Sequence, residues 1–163
     1  MISAEVKSSM EGKDYKALME QAIERGLTAA AIAVEAEAIL QVPVDSGRLR
    51  GSITYATSNG RSRIRRPAKS RDRVSSPRGE NTAYVGTNVE YAQHVEYGTR
   101  PHEINAPVFI SKKVGGKKIG WRYIKMHPGT KAKSFMRKAL DNKRKAIVRI
   151  YHAEVKKALS GGI

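Results

Sequence analysis

The 163-residue sequence contains no cysteine. Disulfides, thiolate-held metals and thiol nucleophiles are therefore excluded, and the fold is indifferent to redox conditions. Aromatic residues make up 6% of the chain, too few for a ladder on which nucleic-acid bases stack. No run of about 18 apolar residues occurs, so no helix that crosses a membrane is expected. Met1-Ile-Ser-Ala-Glu5 has neither the basic start nor the apolar core of a cleaved export signal. The sequence also lacks a phosphate-cradling glycine loop, an H-E-x-x-H pair and a G-x-S-x-G elbow. The expectation is a non-enzyme without cofactor or metal.

Acidic residues are the scarcer charge. There are 15 against 31 basic ones, a net charge of +16, and the imbalance is uneven. Residues 1–45 hold 4 basic and 8 acidic residues, and the remainder holds 27 and 7. The result is a charge dipole that suits a polyanionic neighbour or copies meeting acidic end to basic end. A length of 163 residues supports one core. The division expected is a loose arm over 1–13 and a single domain over 14–160.

In that domain Asp14 can cap a helix running to Leu40. Leu18, Ala22, Ala29, Ala33, Ala36 and Leu40 recur at helical spacing. Their small side chains admit close approach, by a helix of the same chain or by a neighbouring subunit. Val42-Pro43 ends the helix, because a residue before proline avoids helical geometry. Asp45 or Ser46 can cap a short turn that carries Leu49 and Ile53 inward, and Ile53, Tyr55 and Thr57 alternate as a strand.

Residues 59–81 differ in composition. Arg61, Arg63, Arg65, Arg66, Lys69, Arg71, Arg73 and Arg78 face a single acid, Asp72, before Glu80. Prolines and serines break any periodicity, and the apolar content is too low for a core. This predicts an exposed, mobile basic loop between two strands. Arginine's planar fork favours phosphate or carboxylate partners, so these eight residues are candidates for contact with DNA or an acidic protein surface. A solvated insertion is the alternative.

Beyond the loop, Thr82 to Val85 alternates as a strand, Gly86-Thr87-Asn88 offers a turn, and Asn88 can cap a short helix. Tyr91, Ala92 and Val95 share one face of that helix, Glu90, Gln93 and Glu96 point elsewhere, and Gly98 suits a left-handed stop. Alternating residues from Glu103 to Ile110 and from Ile119 to Ile124, around Gly115-Gly116, predict an antiparallel hairpin. Trp121 and Tyr123 are expected in a core or interface. Ser134 can cap a final helix with a stripe of Met136, Leu140, Ile147, Tyr151 and Val155, widened by Phe135, Ala139 and Ile150. His94 and Glu90 are four apart, but two ligands fall short of the four that a structural zinc site needs. Asp45 and Glu96 could act as a carboxylate pair, yet capping and ion pairs with Arg48 or Arg50 account for them more simply.

Three segments together carry a resemblance. They are Val42-Pro-Val-Asp-Ser-Gly-Arg-Leu-Arg-Gly-Ser-Ile53, Val85-Gly-Thr-Asn-Val-Glu-Tyr-Ala-Gln-His-Val-Glu-Tyr-Gly-Thr99 and His127-Pro-Gly-Thr-Lys-Ala-Lys-Ser-Phe-Met-Arg-Lys-Ala-Leu140. In order and spacing the chain resembles the tail-completion and head–tail joining proteins of tailed double-stranded DNA phages. The resemblance implies a small α+β protein, with a long N-terminal helix and a C-terminal helix packed on a small, mainly antiparallel sheet. It makes Asp45, Gly47, Leu49, Gly86, Tyr91, Ala92, Glu96, Gly98, Pro128 and Phe135 scaffold positions. It implies a ring in the virion neck, sixfold or alternatively twelvefold, made in the bacterial host cytoplasm. Its neighbours would be a portal-side adaptor or stopper ring and a tail-side terminator or tube protein. Genomic DNA in the lumen would face the basic loop, and no membrane is involved. A small basic nucleic-acid-binding module is the competing reading. The family often has threonine where Ser46 stands and proline where Ser134 stands, and both exchanges preserve helix-start chemistry.

Overall fold

Pro43 and Gly98 punctuate the chain where helices end, and two long helices dominate what lies between and beyond. A computed structural model describes residues 15–114 and 117–160. Helix α1 spans Tyr15–Gln41, and α2 is the short Arg48–Ser52. Strands β1 (Thr54–Ala56) and β2 (Tyr84–Gly86) flank the basic segment. Helix α3 is Ala92–Tyr97, strands β3 (His102–Val114) and β4 (Lys117–His127) follow, and α4 is Phe135–Ser160. The expected arm, the Asp14 cap and Gly115-Gly116 lie outside the described residues.

Helices α1 and α4 run antiparallel, each about 40 Å long at 1.5 Å per residue. The small residues of α1 explain how they meet. Ala22, Gly26, Ala30, Val34 and Ala38 are buried at a spacing of four, which makes one continuous ridge. At Gly26 an added Cβ would stand 2.6 Å from the Tyr151 ring, so the missing side chain sets the helix separation. Polar contacts hold the register: Asn142 donates to Glu37 at 2.8 Å and Lys143 pairs with it at 3.2 Å. Of the two partners that the alanine face left open, this structure supplies the one from the same chain.

The ridge corrects the expected stripe. Leu40 is 75% exposed and Ala36 is also exposed. A row of strict fours ends on Ala38, and a residue two positions further on points about 200° away. Leu140 is exposed for the related reason that α4 buries Phe135 and Ala139. One cluster joins all layers: Ala38, Val42, Leu49, Ile53, Val89, Ala92, Phe135 and Ala139. Burying Phe135 and Ile53 fully contributes about 1.5–3 kcal/mol each.

The architecture is α+β, with two small sheets where one was expected. β1 pairs antiparallel with β2, placing Tyr55 opposite Val85. β3 and β4 form a separate antiparallel hairpin, with Val108 opposite Ile124. The predicted hairpin is thus present and longer at both ends. Tyr123 is exposed rather than in a core, and the Trp121 side chain lies outside the described residues. Gly86 belongs to β2 and Thr87 bridges Arg73, so the turn expected at Gly86-Thr87-Asn88 comes later, at Glu90 and Tyr91.

Candidate interaction surface

The basic segment is not the loose appendage that its composition predicts. Arg61 bridges back to Ala56, and Ser70–Asp72 form a 3-10 turn. Asp72, the lone acid, is 1% exposed and collects the surrounding chain. Arg48 approaches it with two parallel bonds, Nε to Oδ2 at 2.9 Å and Nη2 to Oδ1 at 2.7 Å. The Lys69 N–H adds a third at 2.9 Å. The Asp72 carbonyl accepts from the Asn88 N–H at 2.8 Å and from the Thr87 hydroxyl at 3.3 Å. Thr87 also shares a 2.6 Å hydroxyl contact with Ser52. The first and second motifs therefore grip the basic segment from both sides.

This geometry sets the electrostatics. The Arg48 guanidinium, helped by the Lys69 amide, holds Asp72 down at about 2, although burial opposes ionisation. Asp72 in turn keeps Arg48 charged well beyond its ordinary range. A second clamp joins Arg65 Nη1 to the buried Glu35 at 3.0 Å. Arg73 is half-buried, with Nε lacking a hydrogen-bond partner. Arg61, Arg63, Arg66, Lys69, Arg71 and Arg78 remain exposed. Of the eight cations expected at the surface, seven are exposed: these six, and Arg65, whose side chain is 54% exposed although it pairs with Glu35.

Gly51 explains how an arginine-rich segment comes so close. A Cβ there would collide with the Arg65 carbonyl oxygen, and Arg65 N–H donates to the Gly51 carbonyl at 2.9 Å. The sequence reading missed this glycine. A lone acid inside a run of eight bases was the available signal for Asp72.

Several caps differ from expectation. Gly47, at φ +79°, precedes α2, and neither Asp45 nor Ser46 makes a side-chain cap of the usual kind. Ser46 accepts only a long 3.4 Å contact from the Arg48 N–H. Asn88 donates to the Arg73 carbonyl at 2.6 Å and does not cap α3, which Tyr91 precedes. Glu96 does not point outward: it is 8% exposed, and its carboxylate accepts the N–H groups of Met136 (2.9 Å) and Arg137 (3.1 Å). It thereby caps α4, the role assigned to Ser134, whose hydroxyl instead reaches the Glu96 carbonyl at 3.4 Å. With both oxygens so engaged, Glu96 is not half of an acid–base pair with the exposed Asp45. Arg48 pairs with Asp72 rather than with Asp45.

Gly98 has the positive φ expected of it, +75°, and a Cβ would meet the Thr130 carbonyl at 2.4 Å. Among the scaffold residues, Leu49, Ala92 and Phe135 meet in the core. Pro128 and Tyr91 stay at the surface. Among the described residues no group of three or more His, Asp or Glu side chains forms a place for a metal ion.

Comparison with known proteins adds one match. The family model described as "Bacteriophage HK97-gp10, putative tail-component" matches residues 11–98. No curated protein and no solved structure matches the chain.

Proposed function

The chain belongs to this HK97 gp10-like phage tail-component family, and on that premise we propose that its copies form a ring in the virion neck, joining the DNA-filled head to the tail. The observation that carries this reading is an open apolar groove of about 500 Å³ between α1, β2, α3 and α4. Tyr97, 73% exposed, and the exposed Leu140 stand along it, beside Leu27, Val34 and Ile147. Contiguous apolar surface of this kind marks a protein–protein contact. The groups that could have been reactive are instead used in scaffolding, Glu96 as a cap and Asp72 as a clasp. The role is structural, not catalytic.

In this reading the ring is sixfold, with twelvefold as the alternative, and it sits between a portal-side adaptor or stopper ring and a tail-side terminator or tube protein. The exposed cations of the basic segment lower repulsion between channel and genome without reading sequence, since phosphate contacts are sequence-blind. Sedimentation and electron microscopy of the purified chain, alone and on its partner ring, test the assembly. Rings that Tyr97→Asp with Leu140→Asp reduces to monomers are expected. A wild-type chain that stays monomeric even on the partner ring overturns the proposal. The same exposed cations favour a second reading, a nucleic-acid-binding module. That reading requires tight duplex binding by a monomer or dimer with a steep salt slope.

A further inference from the structure

On the opposite side of α3 from the ring groove, the third motif folds back on the second. Thr99 and Thr130 form an antiparallel bridge, each N–H donating to the other's carbonyl at 3.0 Å. Gly98 and Gly129 flank it, both with positive φ, +75° and +81°. Each lies where a Cβ would strike the backbone of the facing segment, so only glycine permits the approach. The two segments frame a trough of about 870 Å³.

The trough has a consistent chemistry. Its apolar surface is supplied by Pro43, Tyr91, Val95 and Pro101. Exposed Arg100, Lys131 and Lys133 stand on it, with His94, His102 and His127 between them. His102 and His127 stack at 5.0 Å, and the Gly129 N–H donates to His127 Nδ1 at 3.0 Å, so these rings are held as part of the wall. Among the described residues no carboxylate lines this 870 Å³ part of the trough. Pro43, Tyr91 and Val95 are shared with a neighbouring depression of about 470 Å³ that Asp45, Leu49 and Arg50 also line, which lengthens it.

We propose that this trough is the docking site for an acidic, apolar-sided peptide segment of another protein. Charge complementarity selects the occupant: among the described lining residues four cations, Arg50, Arg100, Lys131 and Lys133, stand against one acid, Asp45, an excess that calls for carboxylates, while the apolar surface calls for side chains that gain from leaving water. A nucleic-acid strand suits it less well, because Tyr91 is the only Phe, Tyr or Trp lining the trough among the described residues and offers successive bases a single ring to stack on. A second copy could offer only its acidic residues 1–45, with 8 acidic against 4 basic residues, and the peptide selection tells that source apart. The backbone bridge preforms the walls, so little ordering cost is added on binding. The inference uses the ring reading only to name a virion neighbour as the source of the segment.

The test is a displayed library of random dodecapeptides selected on the full chain, with the charge-reversed variant Arg100→Glu/Lys131→Glu/Lys133→Glu as counter-selection. All three side chains are exposed, so the variant is expected to fold as the wild type does. The expected result is enrichment of Asp or Glu with apolar residues, and about tenfold or greater loss of binding by the variant. Lys131→Arg/Lys133→Arg, which keeps the charge, is expected to retain binding. Selected peptides without acidic enrichment, or equal binding to the variant, overturn the proposal. So does an oligodeoxynucleotide of equal charge that binds more tightly and depends on the same three residues, and so does enrichment of segments of this chain. The selection runs on the isolated chain, so its failure leaves the ring proposal standing, and failure of ring assembly leaves this one standing.

Discussion

The carboxylate of Glu96, near the end of α3, accepts two free amides in the first turn of α4, from Met136 at 2.9 Å and Arg137 at 3.1 Å. A helix start always leaves such amides without partners, and negative charge there also meets the positive end of the helix dipole. One side chain thus joins the second motif to the third across some forty positions of sequence.

Replacing Glu96 with Ala is expected to cost about 1–3 kcal/mol, because two half-buried amides lose their acceptor. Glu96→Gln keeps one acceptor oxygen and is expected to lose roughly half as much. Urea unfolding of the three proteins measures this. Equal midpoints would mean that the cap contributes nothing.

Asp72 makes stability depend on acid. Its folded-state pKa is about 2 against an ordinary 3.8, lowered chiefly by the Arg48 guanidinium. A depressed carboxylate contributes stability that is fully present above the unfolded value and is lost as pH falls through the folded one. The loss is therefore expected between about pH 4 and pH 2. Glu37, lowered from 4.5 to about 2 by Asn142, Gln41 and Lys143, acts in the same direction. Asp72→Asn and Glu37→Gln should each flatten the acid limb of a stability-versus-pH curve. An unchanged slope in both would separate stability from these two carboxylates.

Gly51→Ala places a methyl group against the Arg65 carbonyl. The alanine gains about 1 kcal/mol of helix propensity, but backbone atoms must separate to admit it, at a larger cost of about 1–3 kcal/mol. The basic segment should lift from α2, and trypsin should then cut at Arg63 to Arg73 about tenfold faster. Mass spectrometry of a timed digest reads this. Unchanged cleavage would show that the segment is accessible without being displaced.

Gly26→Val tests the contact between the long helices. The added atoms meet the Tyr151 ring at 2.6 Å and its carbonyl at 3.2 Å, so the helices must part. A loss of about 1–3 kcal/mol is expected, seen as a lower thermal midpoint. Tyr151→Ala in the same background should recover part of it by making room.

Local pattern alone was enough for the strongly periodic elements. Both long helices, the β3–β4 hairpin, the proline stop after α1 and the glycine stop after α3 follow from spacing and backbone preference, which act within a few residues. The basic segment was harder. Its composition describes how few apolar groups it holds, and that is why it reads as solvated. What pins it is a handful of polar bonds to residues 15 to 30 positions away, notably Arg48 to Asp72 and Arg65 to Glu35.

From its own residues the sequence determined two long helices, short strands and a hairpin, free of cysteine chemistry, with excess positive charge after residue 45. Tertiary structure alone decided which polar groups became caps and clasps and which cations stayed exposed. A carboxylate's partner depends on where the chain returns in space, and no periodicity within a helix or strand encodes that return.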